Sequence, residues 1–444
     1  MKLTLQLFNN GEWCDTASLE LNNTNHLKAR ISYLDDYCLN KVSDYGCIDN
    51  RACSVNAPVE LIPTDYEKWP ALLDDIIPVG KSRTWWLKRL NASHESILNQ
   101  NIKLLENACG SPVGNLRVKN TDKSNTHIQY FNIDEVTSLQ YDFLEHANEQ
   151  GATVGGATGA GGVAPKLLLM LDLESNKVHI DSDFAGKPLV STPYLTKFAR
   201  NNRSKIDNDI LTAEGKYYIL LDEILSDLNI DTIDSSKILI KEHNGQVSLW
   251  LPRFDVIEVN GIAQRVGMES IYSIINAEPG SYQNHFNIIN EIWNKIKKST
   301  TMSSAEFVQQ YVVRDFLNIV FGNSDNHGRN ISFMKKRNDI IFSPIYDFAP
   351  MKADPEGVTR IFKWGTDFER GGNVDFSKVS LELSDLCDPK ILMDYLQIVT
   401  NRLGALKQRL IALGCPTSIT ENPSIAFDYL ANKISNMGLN NEGI

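Results

Sequence analysis

The character of the chain changes near residue 257, and this change constrains the fold more than any other feature. Upstream, short apolar segments such as KLLLMLD and VSLWLP are bounded by turn residues, as is typical of strands. Downstream, FNIINEIWNKIKK and SAEFVQQYVVRDFLNIVFG space their apolar residues like amphipathic helices. A β-rich half followed by a helical half predicts an α+β, two-lobed molecule, and a cleft between lobes is a common ligand site.

The chain has 444 residues, which is too many for one compact core. We therefore expect three regions. Residues 1–120 are predicted to form a mixed α/β subdomain and residues 121–256 a β-rich N-lobe. Residues 257–444 are predicted to form an all-helical C-lobe that carries the functional residues.

Composition excludes several classes of protein. The formal net charge of −11 argues against a surface that coats nucleic acid, because phosphate binding needs clustered Lys and Arg. The seven Cys are irregularly spaced and form no CxxC pair, so neither a zinc site nor a disulfide framework is expected. No apolar run approaches the roughly 18 residues of a membrane span, and the N-terminal segment MKLTLQLF is typical of a strand rather than of a secretion signal. These features predict a cytoplasmic protein without membrane contact.

The segment GGATGAGG holds five Gly in eight residues. Such density costs backbone entropy unless the backbone must approach a ligand closely, and phosphates are the usual ligand. A dinucleotide-binding loop is rejected because Pro165 and a strand follow, where that motif needs a helix. What remains is a phosphate-covering loop with Gly159, Gly161 and Gly162 that ends at Lys166, or else a plain flexible connection.

The segment FGNSDNHGRNISF places polar residues between apolar ones. Asp325 can accept a hydroxyl proton, and the amide oxygen of Asn330 can bind Mg²⁺, a hard cation that prefers oxygen. His327 is expected to brace Asp325 by hydrogen bonding, because Mg²⁺ disfavours imidazole. The alternative is a polar capping loop at a helix end, flanked by Gly322 and Gly328.

A second carboxylate follows at Asp347, in SPIYDFAPM. The turn KKRND predicts a hairpin that brings Asp347 back beside Asn330 as a second Mg²⁺ ligand. Asp325 as base, Asn330 and Asp347 on the metal, and Lys197 on a strand in the N-lobe follow the order of groups in kinases. The protein-kinase strings HRD, DFG and APE are absent, and Asp347 begins Asp-Phe-Ala instead.

Taken together, GNSDNHGRN and SPIYDFAP resemble the N-x-D-x-H-x-x-N and YD pair of the HipA-like Ser/Thr kinases, which are toxins of bacterial toxin–antitoxin modules. GGVAPK is similar to that family's Gly-rich segment, YLTKF to its strand with an ATP-contacting Lys, and LPRFDV to the segment at its lobe junction. The resemblance covers roughly residues 150 to 410. It implies a two-lobed protein-kinase-like fold.

The resemblance also implies residue roles. Asp325, braced by His327, is the catalytic base, Asn330 and Asp347 hold Mg²⁺, and Lys197 contacts the ATP phosphates. Three residues are implied to lie by the adenine or ribose: Arg253, Phe254 and Asp255. The alternatives are a solvated strand residue for Lys197 and an ordinary ion pair between lobes for Arg253 and Asp255. We expect Glu214 to pair with Lys197 because of its position on a helix.

One departure from the family pattern concerns autophosphorylation. Family members often carry a phosphorylatable Ser in the Gly-rich loop, where this chain has Gly159. We therefore hypothesise that Thr158 is the acceptor, with Thr153 as a second candidate.

These residues and the resemblance predict an ATP- and Mg²⁺-dependent Ser/Thr protein kinase that acts as a toxin. The resemblance implies a helix-turn-helix, HipB-like antitoxin as partner, which would make any DNA contact indirect. It also implies a translation-related protein substrate such as an aminoacyl-tRNA synthetase. Two alternatives stay open: a non-catalytic nucleotide-binding partner in a repressor complex, and a small-molecule kinase on the same scaffold.

Overall fold

The computed structural model describes residues 1–22, 28–42, 44–110, 113–119, 128–149, 165–180, 188–200 and 204–440. The Gly-rich loop lies outside the described residues, and with it five predicted site residues: Thr153, Thr158, Gly159, Gly161 and Gly162. All other predicted site residues are described.

The N-terminal part is built on a five-stranded antiparallel sheet. In the order in which they pair, its strands are β4 (Thr64–Tyr66), β3 (Lys28–Tyr33), β2 (Glu12–Asn22), β1 (Lys2–Asn9) and β5 (Leu116–Val118). Helices α1 (Gly80–Arg89) and α2 (Ile97–Asn107) connect β4 to β5. Leu5 and Leu7 share one face of β1 and are fully buried.

A second, six-stranded sheet follows in the chain. Its strands pair in the order β10 (Leu239–His243), β11 (Gln246–Pro252), β9 (Thr192–Phe198), β7 (Lys166–Asp172), β8 (Lys177–Ile180) and β6 (Phe131–Asn132). Helices α3 (Ile133–Thr137) and α4 (Tyr141–Glu149) precede β7, and α5 (Lys205–Leu225) follows β9. The antiparallel register sets Lys166 of β7 directly opposite Lys197 of β9. Two cationic side chains therefore stand side by side on this sheet.

Helix α5 joins the second sheet to the C-terminal part. Gly215 lets the helix approach the sheet closely, because a Cβ there would lie 2.8 Å from Ile240 and 2.9 Å from Leu249. Tyr217 and Leu221 belong to the same buried cluster as the C-terminal helices. The helix thus fixes the β-rich part against the part that follows.

The C-terminal part combines helices with small sheets. Strands β12 (Val256–Val259) and β13 (Ile262–Arg265) form a hairpin, and β14 (Gly267–Ser270), β16 (Ser332–Lys336) and β17 (Asp339–Phe342) form a three-stranded antiparallel sheet. Short pairs join β15 (Gln283–Asn284) to β18 (Phe362–Lys363) and β19 (Glu369–Arg370) to β20 (Asn373–Val374). The helices are α6 (Ile271–Ile274), α7 (His285–Ile296), α8 (Ser304–Phe321), α9 (Phe376–Glu382), α10 (Pro389–Asn401), α11 (Leu406–Ala412), α12 (Thr417–Thr420) and α13 (Leu430–Asn436).

The expected two-lobed, kinase-like α+β fold is confirmed, although the C-lobe contains these strands besides its helices. The predicted hairpin that returns Asp347 is β16–β17, with Asn338 in its turn at a φ of 59°. The boundaries near residues 120 and 256 stay a prediction. Within the described ranges, no helix combines the length and the apolar character that crossing a membrane requires.

Candidate active site

The loop with the predicted catalytic residues begins where α8 ends. A capping box of Ser303 and Glu306 starts this helix, and Gly322 ends it at a φ of 75°, a left-handed conformation that glycine adopts at low cost. A Cβ at Gly322 would lie 2.9 Å from the side chain of Ile425. Two features therefore favour glycine at this position: the positive φ and the lack of space for a Cβ beside Ile425. It sets the direction in which the catalytic loop, residues 323–331, leaves the helix.

Asn323 ties the catalytic loop to the segment of Asp347. Its Nδ2 donates to Asn318 Oδ1 at 2.9 Å and to the backbone oxygen of Asp347 at 3.2 Å, while its Oδ1 accepts from the amide of Asp325 at 3.2 Å. The sequence prediction gave Asn323 no role. Its position two residues before Asp325, in Asn-Ser-Asp, is the signal that could have identified it.

Asp347 lies next to two lysines. Lys166 Nζ is 3.0 Å from Asp347 Oδ2 and 3.2 Å from Oδ1, and Lys197 Nζ donates to Oδ1. Lys197 Nζ also donates to Glu214 Oε1 at 2.5 Å, which is the pair expected from the sequence. The opposition of β7 and β9 thus places two ammonium groups at one carboxylate. Asp347 itself has a φ of 52°, an uncommon conformation for a residue with a side chain.

These charges shift each other's pKa. Burial alone would raise the pKa of Asp347, but the ammonium groups of Lys166 and Lys197 hold it well below its ordinary value. Burial likewise opposes the charge of Lys197, but the carboxylates of Asp347 and Glu214 raise its pKa above the ordinary value. For Lys166 burial prevails and lowers the pKa. The carboxylate of Asp347 is therefore ionised, with the two ammonium groups as its partners.

Asp325 has the opposite shift. Burial, and then the nearby charge of Asp347, raise the pKa of Asp325 to about 6. Such a carboxylate is still largely ionised at neutral pH but binds a proton more readily than an ordinary Asp, which suits a general base. The predicted base, Asp325, and the predicted metal ligand, Asp347, thus have pKa values shifted in opposite directions.

His327 lies beside Asp325, with its Nε2 3.3 Å from Asp325 Oδ1. Its Nδ1 accepts from the amide of Arg329 at 3.1 Å, so Nε2 carries the proton of the neutral ring. Burial lowers the pKa of His327 to about 4, and the ring stacks on Tyr272 with centroids 6.3 Å apart. The geometry gives proximity but no hydrogen bond at Nε2, so the role of His327 as a hydrogen-bonding brace stays a prediction. Gly328 makes the stacking possible, because a Cβ there would lie 2.7 Å from the Tyr272 ring.

Asn330 has the features of a cation ligand. Its Nδ2 donates to the backbone oxygen of Asp325 at 2.6 Å, while its buried Oδ1 has no hydrogen-bond partner. An orphaned buried acceptor is costly, and a cation bound at Oδ1 would satisfy it. Across the described part of the chain, no three His, Cys, Asp or Glu side chains form a complete metal site. The oxygens of Asn330 and Asp347 fit Mg²⁺, which is commonly held by few protein ligands together with phosphates and water.

The lysines and Asp347 line a cavity that is partly open to solvent. Its walls are mostly apolar, and several wall residues come from the N-terminal part: Cys53, Leu72, Ile76, Val113 and Leu116. Sequence patterns gave no sign of this contribution, because it depends on contacts between segments that are far apart in the chain.

Arg253, Phe254 and Asp255 line the same cavity. Arg253 Nε and Nη2 donate to the carboxylate of Asp255 at 2.9 and 2.6 Å, and Asp255 Oδ2 also accepts from the amide of Gly114 at 2.7 Å. Arg253 and Asp255 therefore form an ion pair that anchors the lobe junction to the N-terminal part. Phe254 lies in contact with Tyr346, with ring centroids 5.8 Å apart, as an apolar wall.

Comparisons with known proteins show similarity in sequence and in fold. A family model described as the HipA-like C-terminal domain matches residues 158–395, more than half of the chain. Toxin YjjJ of Escherichia coli strain K12 is 26% identical over 221 residues, 49% of this chain. The match spans only 43% of the length of that toxin.

The fold also matches a solved structure, that of HipA from Shewanella oneidensis MR-1 in complex with HipB and operator DNA. The TM-score is 0.64 and the identity 15%, with 98% of this chain and 96% of that chain covered. At this identity the likeness shows a shared fold along almost the whole chain.

Proposed function

Because the chain belongs to the family with the HipA-like C-terminal domain, we propose that it is an ATP- and Mg²⁺-dependent Ser/Thr protein kinase that acts as the toxin of a toxin–antitoxin module. One observation carries this proposal: Lys166 and Lys197 meet the carboxylate of Asp347 at one end of the cavity between the lobes, next to the loop of Asp325 and Asn330. Phosphoryl transfer needs mainly positioning and charge neutralisation, and these side chains supply both.

Asp325 is the proposed base. The acceptor oxygen bonds to the γ-phosphorus as the bond between that phosphorus and the β–γ bridging oxygen breaks, ADP leaves, and Asp325 takes the hydroxyl proton. Its pKa of about 6 makes it a better proton acceptor than an ordinary Asp while it stays ionised at neutral pH. His327, neutral and stacked on Tyr272, keeps the carboxylate in place.

Asn330 and Asp347 are the proposed ligands of Mg²⁺, which, when bound, neutralises charge on the phosphates. Lys166 and Lys197 neutralise Asp347, and we propose that the same ammonium groups contact the phosphates of ATP. Glu214 holds Lys197, and the hydroxyl of Tyr218 donates to Glu214 at 2.9 Å. Glu214 therefore holds Lys197 in position, while the contacts of both lysines with Asp347 give way when the phosphates and the cation bind.

The proposed partner is a HipB-like helix-turn-helix antitoxin, which the complex containing the HipA relative supports. With a net charge of −11, contact with DNA is proposed to run through that antitoxin. By family resemblance, the proposed substrate is a translation-related protein such as an aminoacyl-tRNA synthetase, in the cytoplasm. Thr158, or else Thr153, is the proposed site of autophosphorylation.

Incubation with ATP labelled at the γ-phosphate and Mg²⁺, with and without a cell extract, tests the proposal. We expect the wild-type protein to label itself or an extract protein. Asp325→Asn and Asp347→Asn should lose at least about 100-fold of this transfer, a loss typical of removing one catalytic group. Asp394→Asn, an exposed change on α10, is the control and should transfer normally.

The outcomes separate the parts of the proposal. Full transfer by both active-site variants would overturn the proposed roles of Asp325 and Asp347, and no transfer by the wild type would overturn the kinase function. A small molecule as the only labelled product would replace the protein substrate with a small one on the same scaffold. Mass spectrometry that finds no phosphate within residues 150–166 would reject autophosphorylation of the Gly-rich loop alone.

A further inference from the structure

A buried polar cluster lies beneath the catalytic loop, and the mechanism above does not use it. Its centre is Asp315, in the middle of α8 and only 1% exposed. Four side chains contact this carboxylate, and the hydroxyl of Tyr311 hydrogen-bonds to one of them, His285. Together with Asp315 they are here named the Asp315 junction: His285, Tyr311, Asn326, Arg360 and Trp364.

The carboxylate of Asp315 binds donors from two separate segments. Asn326 Nδ2, in the catalytic loop, donates to Oδ1 at 2.6 Å. Trp364 Nε1 donates to Oδ2 at 2.8 Å, and the guanidinium of Arg360 lies 3.0 Å from Oδ1 and 3.1 Å from Oδ2. Trp364 and Arg360 both follow Asp347 in the chain. A single buried carboxylate thus joins α8, the catalytic loop and the segment after the proposed metal ligand.

The same junction also supports His327, which lies beside Asp325. His285 stacks on Trp364, with centroids 4.4 Å apart, and contacts the ring of Phe362 at 6.0 Å. Phe362 packs edge-on against Tyr272 at 5.5 Å, and Tyr272 stacks on His327. Asn326 is therefore held by a hydrogen bond to Asp315, and His327 by aromatic packing on Tyr272.

We propose that Asp315 is a positioning residue for phosphoryl transfer: through Asn326 it holds the catalytic loop, and with it the carboxylate of Asp325 beside His327. Asn326 is 2% exposed and faces the interior, while Asp325 is more exposed. Replacing a buried ionic cluster by well-packed apolar side chains is often neutral or stabilising, so stability alone gives no reason to keep this one. The inference rests on the proposed kinase function.

Asn326→Ala is the main test variant, because it removes one end of the 2.6 Å hydrogen bond and leaves the ion pair of Asp315 with Arg360 in place. We expect kcat to fall by about 10²-fold, the effect of misplacing a catalytic group by an ångström. KM for ATP should stay within about twofold, because the lysines and Asp347 are untouched. A variant that is merely less stable would not separate kcat from KM in this way.

A charge exchange gives a second, independent readout. Asn326→Asp places a carboxylate against Asp315 and should be more defective than Asn326→Ala. Adding Asp315→Asn to it restores one amide and one carboxylate across the same contact, and we expect kcat to recover at least tenfold relative to Asn326→Asp. A double variant as inactive as Asn326→Asp alone would contradict a direct contact that sets the rate.

Hydrogen exchange of the catalytic loop distinguishes failure of this inference from failure of the kinase proposal. Amides of residues 323–331 should exchange at least tenfold faster in Asn326→Ala. Asn208→Ala is the matched control, because the side chain of Asn208 makes two comparable hydrogen bonds, with Gly245 O at 2.9 Å and Val247 N at 3.1 Å. Unchanged exchange in Asn326→Ala, or unchanged kcat where the wild type transfers phosphate, would overturn the positioning role. No transfer by the wild type would overturn the kinase function instead.

Discussion

Single residues in the candidate site combine function with a cost in stability. Burial, followed by the charge of Asp347, raises the pKa of Asp325 to about 6, whereas an Asp in an unfolded chain titrates near 4. The folded protein therefore binds this proton more tightly than the unfolded chain. The stability contributed by the proton is fully present below pH of about 4 and is lost as the pH rises through about 6.

We therefore expect Asp325→Asn to stabilise the protein in metal-free buffer at pH 7 to 8. Asn has the shape of the protonated side chain and carries no charge, so the gain should be at most about 3 kcal/mol, from the shift of roughly two pKa units. The gain should shrink towards zero near pH 4. Urea unfolding of the wild type, Asp325→Asn and the exposed control Asp394→Asn at both pH values measures it. Equal stability of all three proteins at pH 8 would contradict a destabilising negative charge on Asp325.

Residue types predicted part of this site, and structure supplied the rest. The sequence suggested three residues by the proton and metal chemistry of their oxygens: Asp325, Asn330 and Asp347. It suggested Glu214 by its position on the helix that follows the strand of Lys197. The hydrogen bond from the amide of Gly114 to Asp255 was not predictable, because no local pattern relates residues 141 positions apart. Asp315 was missed for the same kind of reason: it stands in an apolar helical stretch, where nothing local distinguishes a junction from a surface residue.

Among the elements, the β16–β17 hairpin and helix α8 determine the site. The hairpin was predictable from its turn, which contains Asn338 at a positive φ, and it returns Asp347 to the catalytic loop. Strand β14 was not predicted, because Gly267–Ser270 is too short to show a period. It pairs with β16 and gives the C-lobe the small sheet that a purely helical lobe would lack.

The end of α8 offers a direct test of how this helix positions the loop. Gly322→Ala introduces a positive-φ alanine, which costs about 1 kcal/mol, and sets its Cβ 2.9 Å from Ile425. We expect the clash to add about 1–3 kcal/mol. Gly357→Ala is the control, because Gly357 has a φ of 71° and nothing within 4 Å of its Cβ position. Denaturant unfolding measures both variants, and equal losses of stability would show that the packing against Ile425 contributes nothing.

Over the whole molecule, the N-terminal part is built into the kinase-like body rather than appended to it. The carboxylate of Glu269 accepts from Ser54 Oγ at 2.5 Å and from the amide of Val55 at 2.9 Å, and Lys335 Nζ donates to the backbone oxygen of Ala52 at 3.0 Å. Asp75 accepts from the amide and the hydroxyl of Ser270 at 2.9 and 2.7 Å. The two-lobed architecture followed from the change of pattern along the chain. The docking of the N-terminal part did not, because it uses contacts between distant segments, such as Asp75 and Ser270, which are 195 positions apart.

The central claim is that the carboxylate of Asp347, which lines the cavity between the lobes, and the amide of Asn330 in the catalytic loop hold the metal of a metal-bound nucleotide. Calorimetric titration of ATP into the wild type and Asp347→Asn, each with and without Mg²⁺, tests it most directly. We predict that Mg²⁺ strengthens ATP binding by the wild type at least tenfold and changes binding by Asp347→Asn less than twofold. An equal effect of Mg²⁺ on both proteins, or no ATP binding by the wild type, would contradict the account.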